Sequence, residues 1–235
     1  MINEIMRKLL PLLLLLFLST GISAQYKPVL FGLRVGSNLG WMKPDSEDYS
    51  SGGAVPGFSW GFIGEFFLME NYAVLTGFNM SWNGGKLEYP YIMDIGNDTS
   101  ATSGTLNRDY TLKYFQIPLC LKMQTEVSDK LRIFGKIGLG TSFLLDAKAD
   151  DDFVYDGGEV SSDNKNIDDD ISLMRESLII GGGVEIILKG STALIIDLTY
   201  DNGFNDILTS GNPATPMSDP KAFYNYVELG VGVVF

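Results

Sequence analysis

The stretch Phe223-Tyr224-Asn225-Tyr226-Val227-Glu228-Leu229-Gly230-Val231-Gly232-Val233-Val234-Phe235 alternates along its length. Phe223, Val227, Leu229, Val231, Val233 and Phe235 share one face. Tyr224, Tyr226, Glu228, Gly230 and Gly232 share the other. A period of two belongs to an extended strand, whose successive side chains point to opposite sides. The apolar face carries no charge, and the charge and most of the glycine lie opposite.

The same period recurs upstream. Together with 223–235 it marks eight segments, at 30–41, 58–68, 72–83, 109–123, 131–144, 174–188 and 192–202. In the first, Phe31, Leu33, Val35, Leu39 and Trp41 oppose Gly32, Arg34, Gly36, Asn38 and Gly40. In the second, Phe58, Trp60, Phe62, Phe66 and Leu68 oppose Ser59, Gly61, Ile63, Glu65 and Phe67. In the seventh, Leu194, Ile196, Leu198 and Tyr200 oppose Ile195, Asp197 and Thr199. Each segment has at least the roughly 9–11 residues that a tilted membrane-crossing strand needs. Strands of a soluble sandwich run nearer about five or six.

The connections alternate in length. Met69-Glu70-Asn71, Gln124 to Lys130 and Lys189-Gly190-Ser191 are short. Segments 42–57, 84–108, 145–173 and 203–222 are long and polar. Short turns at one end and long loops at the other are the pattern of an up-and-down membrane barrel. The expected fold is therefore all-β: an eight-stranded antiparallel up-and-down transmembrane β-barrel, closed where Phe235 meets the first strand near Phe31. The even strand number places both chain ends at the short-turn side.

The N-terminus supplies the compartment. Arg7 and Lys8 precede an apolar run from Leu9 to Leu18, and small residues Ser23 and Ala24 follow. That run is too short to cross a bilayer of about 30 Å as a helix, so residues 1–24 read as a signal peptide cut after Ala24. Residues 25–235 then form one barrel domain in a Gram-negative outer membrane. Without Glu4, Arg7 and Lys8 the chain keeps 28 acids and 15 bases, a net of −13. That excess of acid argues against nucleic acid as a partner. The partners expected are outer-membrane lipid, the barrel-insertion machinery through the strand ending in Phe235, and an unidentified surface ligand or secretion complex.

Aromatics gather near strand ends. Trp41, Trp60 and Trp82 lie toward the long connections, and Tyr72 and Phe235 toward the short ones. They form the expected aromatic girdles at the two headgroup levels. The polar face holds Arg34, Glu65, Lys136, Glu185, Asp197 and Glu228. Charges inside a narrow barrel are costly unless paired, so these six are expected to form an ionic network filling the lumen.

Chemistry is conspicuous by residue type. The chain contains no histidine and a single cysteine, Cys120. General-base catalysis through histidine and tetrahedral zinc sites are both disfavoured. No catalytic, cofactor-binding or metal-binding residue is assigned, and the expectation is a non-enzyme. Cys120 reads as a small inward side chain. Asp150-Asp151-Asp152 and Asp168-Asp169-Asp170 read as a solvated loop rather than a calcium site, since their spacing fits no calcium loop. Pro118, inside a segment that otherwise reads as a strand, predicts a local break in the ladder.

Three pieces carry a resemblance. Phe31-Gly32-Leu33-Arg34-Val35-Gly36-Ser37-Asn38, the run Tyr114-Phe115-Gln116-Ile117-Pro118-Leu119-Cys120-Leu121-Lys122, and the ending in Phe235 resemble the Bacteroidota outer-membrane barrels of the porin-family or PorT-like group. Gln116 and Cys120 stand where that group usually has Glu and Leu. The resemblance implies a small outer-membrane barrel of OmpA/OmpX-like architecture. The function expected is a wall displaying four long extracellular loops for surface interaction or envelope structure. The alternative is a transport element, either a narrow solute pore or a PorT-like component of a protein-secretion system.

Overall fold

The computed structural model describes residues 29–95, 101–215 and 220–235. The expected leader lies outside the described residues. The strands are β1 (Val29–Pro44), β2 (Ser50–Met69), β3 (Tyr72–Asp94), β4 (Ala101–Gln124), β5 (Leu131–Tyr155), β6 (Gly158–Asn166), β7 (Met174–Lys189), β8 (Thr192–Gly203) and β9 (Ala222–Val234). One 3-10 turn spans Asp168–Asp170.

All pairings are antiparallel, in the order β4-β3-β2-β1-β9-β8-β7-β5-β6, with a further β4–β5 pairing. This corrects the expected fold. The structure is not the closed eight-stranded up-and-down barrel. Among the described residues it is a nine-stranded sheet bent into a partial ring, with β6 paired only to β5. The ninth strand lies within residues 145–173, where the sequence predicts a loop.

The cause of that difference is local. Tyr114 pairs with Leu144 but Lys113 pairs with Asp146, so Leu145 is an extra residue in β5. Such a bulge shifts the side-chain phase by one. Below it Phe134, Lys136 and Ser142 are buried. Above it Ala147, Ala149, Asp151 and Phe153 are. The period of two continues to Tyr155, but on the other parity.

Segment 84–108 also departs from its expected form. Its described parts extend β3 and β4 as one hairpin, with Leu87 opposite Arg108 and Tyr89 opposite Leu106. The phase does not change there, but the polarity inverts. In the lower part of β4 the outward residues are Phe115, Ile117, Leu119, Leu121 and Met123, while Gln116 and Lys122 are buried. In the upper part Leu106, Tyr110 and Leu112 are buried, and Asn107, Asp109, Thr111 and Lys113 face outward.

The lower part thus carries an exposed apolar belt, in which Leu33, Leu119 and Leu229 are 63%, 61% and 56% exposed. A belt this continuous suits hydrocarbon rather than water. The upper extension is built like a water-soluble protein, apolar inside and polar outside.

At the short-turn end the first and last strands meet: Phe31 and Phe235 exchange backbone hydrogen bonds at 2.8 and 3.2 Å. Around Pro118 the β3–β4 ladder is interrupted. Thr76 pairs with Leu119 and Asn79 with Gln116, while Ile117 and Pro118 lack β3 partners. The register is the same on both sides. The opposing Gly77 has φ +141°, and a Cβ there would lie 2.0 Å from the Phe62 carbonyl oxygen, so glycine permits the unpaired stretch.

Candidate functional site

The interior is filled in tiers. Nearest the short turns is an apolar floor of Leu30, Ile63, Phe134, Ala193, Ile195 and Val234. Beside it Lys122 lies between two carboxylates. Its Nζ donates to Glu65 at 2.7 and 2.8 Å and to Glu185. Arg132 donates to the second Glu185 oxygen at 3.1 Å. The Lys122 ammonium also sits 4.7 Å from the Phe134 ring centroid.

The next tier is centred on Asp197. Arg34 reaches it at 3.1 Å and Lys136 at 2.5 Å, and the Thr199 hydroxyl donates to it at 2.8 Å. Arg34 also pairs with Glu228, whose other oxygen accepts from Ser59 at 2.5 Å. Above this, Arg175 donates to Asp201 at 2.5 Å and to the Tyr224 carbonyl at 2.8 Å. Gln116 and Tyr226 donate to the other Asp201 oxygen at 2.8 and 3.0 Å. A cavity of about 60 Å³ remains among these tiers. That is room for a few waters.

Arg34, Glu65, Lys136, Glu185, Asp197 and Glu228 therefore all lie inside, but in two groups. Glu65 and Glu185 share Lys122, while Arg34, Lys136, Asp197 and Glu228 form the Asp197 tier. Sequence reasoning missed Lys122, Arg132, Arg175 and Asp201. Lys122 was legible, since it shares the parity of Gln116 on β4. Arg175 and Asp201 sit at the upper ends of the expected strands 174–188 and 192–202, on the same parity as Glu185 and Asp197.

The tiers are capped by a large apolar cluster including Met42, Leu87, Leu106, Tyr110, Phe153 and Tyr224. Ile167, Ile171 and Ile207, from the connections on either side of β7 and β8, are buried in it. Those connections are tied together. Ile171 bridges Leu208, and Ser172 donates to the Ile207 carbonyl at 2.8 Å.

Above the cap is a pocket of about 340 Å³ walled by Tyr49, Tyr89, Tyr91, Arg108 and Tyr110. Tyr49 stacks on Tyr89 with centroids 4.4 Å apart, and Tyr91 meets Tyr89 edge-on at 6.3 Å. Arg108 makes a two-pronged bond to Asp151 at 2.5 and 2.7 Å, with Asp170 3.6 Å away. Burial opposes the Arg108 charge, but the bonded Asp151 outweighs it and holds the guanidinium above its ordinary value. Burial pushes the Tyr110 phenol up to about 12 and raises Tyr89 as well, with Arg108 pulling both the other way.

The remaining candidates are placed as follows. Trp60, Tyr72 and Phe235 are exposed at the belt, and Trp41 and Trp82 half-buried. Trp41 stacks with Tyr200 at 6.2 Å and Trp82 with Phe58 at 4.4 Å. Cys120 is buried and free. Asp150–Asp152 lie in β5 and Asp168–Asp170 in the 3-10 turn. Asp168 accepts from the Ala147 amide at 2.6 Å. Among the described residues no group of acids, cysteine or histidine is arranged to hold a metal ion.

The family model for the outer membrane protein beta-barrel domain matches residues 23–209. Among curated proteins none matches the chain. Solved structures that are similar include Neisserial surface protein A, at 11% identity over 87% of this chain and 95% of that one, with a TM-score of 0.48. OprG from Pseudomonas aeruginosa is 11% identical over 89% and 97%, with a TM-score of 0.45. Ail of Yersinia pestis, in complex with the heparin analogue sucrose octasulfate, is 15% identical over 88% and 99%, with a TM-score of 0.39. None of these likenesses carries a functional argument for the chain.

Proposed function

The chain belongs to the outer membrane protein beta-barrel domain family, and on that premise we propose that it is a non-enzymatic wall in the outer membrane of a Gram-negative cell, working through its outer extension rather than through its interior. The carrying observation is the charge balance inside. Arg34, Lys122, Arg132, Lys136 and Arg175 are matched by Glu65, Glu185, Asp197, Asp201 and Glu228, every one of them in an ion pair.

A conducting lumen needs charges that are hydrated and free to exchange with a passing solute. Here the carboxylates are consumed by neighbours, and apolar clusters lie below and above them. Ordering a charged interior and capping it suits a rigid support. That support carries an extension whose folded face turns to the cell exterior, because both described chain ends lie at the opposite side.

Planar-bilayer recording of the purified protein tests this. The expected result is a membrane as silent as the protein-free control. Stable unitary current steps would sink the reading.

A further inference from the structure

The tyrosine-walled pocket above the cap is a concave site that the plugged interior leaves unexplained. We propose that it binds one neutral hexopyranosyl unit, either a free sugar or the terminal ring of a surface glycan. The inference rests on the reading of the extension as the working face.

Its volume of about 340 Å³ is at the small end of the roughly 300–1,000 Å³ usual for ligand sites. That suits a single ring better than a long chain. Tyr49 and Tyr91, both partly exposed, supply ring faces with a polar tip, as stacking on the C–H face of a sugar requires, and the buried Tyr89 backs Tyr49 from below. Both cations in the pocket are already matched. Arg108 is held by Asp151 and Asp170, and Lys165 lies 3.7 Å from Asp151. An anionic ligand would have to break those pairs and face the Asp169 carboxylate, whereas a neutral polyol can donate its hydroxyls to that carboxylate.

The rim offers acceptors. The Asp169 carboxylate and the Ser210 hydroxyl oxygen line it, and sugar hydroxyls can donate to both. The walls are also held in place before any ligand arrives. Asn212 donates to the Tyr49 hydroxyl at 3.0 Å and to the Pro90 carbonyl at 2.9 Å. Tyr91 meets Phe153, a member of the buried cap, edge-on at 6.4 Å. Preorganised walls lose less entropy on binding.

The test is saturation-transfer NMR on the full chain in detergent micelles. The probes are glucose, galactose and mannose, neutral oligosaccharides ending in each, and glucuronate. The expected result is transfer to ring protons of at least one neutral hexose. Binding should weaken at least roughly tenfold in Tyr91→Ala and stay within about twofold in Tyr91→Phe, which keeps the ring. Mobility on an unboiled gel shows that each variant is folded. Transfer to free sugars supports a soluble source, and transfer only to chain ends supports a glycan. No transfer to any neutral probe at roughly 10 mM, tighter binding of glucuronate, or equal binding by folded Tyr91→Ala overturns the proposal. Sugar binding by a conducting protein would remove the plugged-wall reading alone. A silent bilayer with no sugar bound would remove only this inference.

Discussion

Lys122 is the residue on which the lower interior turns. It is fully buried and is the cation shared by Glu65 and Glu185. Replacing it by methionine leaves two buried carboxylates with only Arg132 nearby. Losing one partner of a buried pair costs about 3–5 kcal/mol. Glu65→Ala is milder, because Glu185 still holds Lys122 and Arg132. The expected order of urea unfolding midpoints in lipid vesicles is wild type, then Glu65→Ala, then Lys122→Met. Equal midpoints for the two variants would show that the shared-cation geometry is wrong. Arg34 offers a contrast. Its partners Asp197 and Glu228 are also held by Lys136 and Ser59, so the Asp197 tier spreads its charge over several bonds.

At the scale of the element, Leu145 decides how β5 is used. Its insertion carries the strand from one parity to the other, and both halves are long enough to matter. Deleting it would let Asp146 follow Leu144 directly, so that Asp146 still faces Lys113, Ala147 still faces Leu112 and the ladder runs without a bulge. Inserting one further residue after Leu145 would instead turn Ala147, Ala149 and Phe153 outward and bring Asp146, Lys148, Asp150 and Asp152 inward, so that the apolar cap would hold charges. The expected outcome is trypsin cleavage within the β5–β6 hairpin in the insertion variant and a pattern like wild type in the deletion variant, with the belt strands protected by lipid in both. Cleavage of the hairpin in the deletion variant, or its protection in the insertion variant, would show that Leu145 is not the extra residue. The Pro118 break shows the opposite tolerance. Two unpaired positions opposite Gly77 leave the register untouched, so the missing N–H disturbs only its own neighbourhood.

The whole molecule is two proteins in one sheet. Strands β3, β4 and β5 leave a band that is apolar outside and charged inside, and enter an extension that is the reverse. The extension should respond to pH independently of the band. The Tyr110 phenol moves from 10 to about 12 on folding because it is buried. A raised acid pKa means that the folded state holds its proton more tightly. That contribution to stability is fully present below pH 10 and is lost as pH climbs from 10 toward 12. Tyr89 shifts in the same direction. Near-ultraviolet circular dichroism, followed alongside tyrosinate absorbance, should show the extension loosening in that window while gel mobility still reports a folded band. Loss of both signals together would mean that the two halves do not separate.

The amino-acid sequence by itself determined the membrane half. Lipid demands an uncharged face, and a strand shows that demand at every second residue, so Leu33, Leu229 and their neighbours were readable without coordinates. It also placed Arg34, Glu65, Lys136, Glu185, Asp197 and Glu228 on the inward parity. Only the tertiary structure decided which of them meet, because tilted, staggered strands carry equal counts from a turn to different partners. Lys122, Arg132, Arg175 and Asp201 complete the pairing for that reason. The extension was decided by tertiary structure too. Its alternation is present in Leu106-x-Arg108-x-Tyr110-x-Leu112, but the polar residues now face water, so it resembles a loop until the hairpin is built. At Leu145 even the parity changes. A bulge leaves no mark in composition, and beyond it the chain turns back so that β5 pairs with the ninth strand, which makes a nine-stranded partial ring in place of a closed eight-stranded barrel.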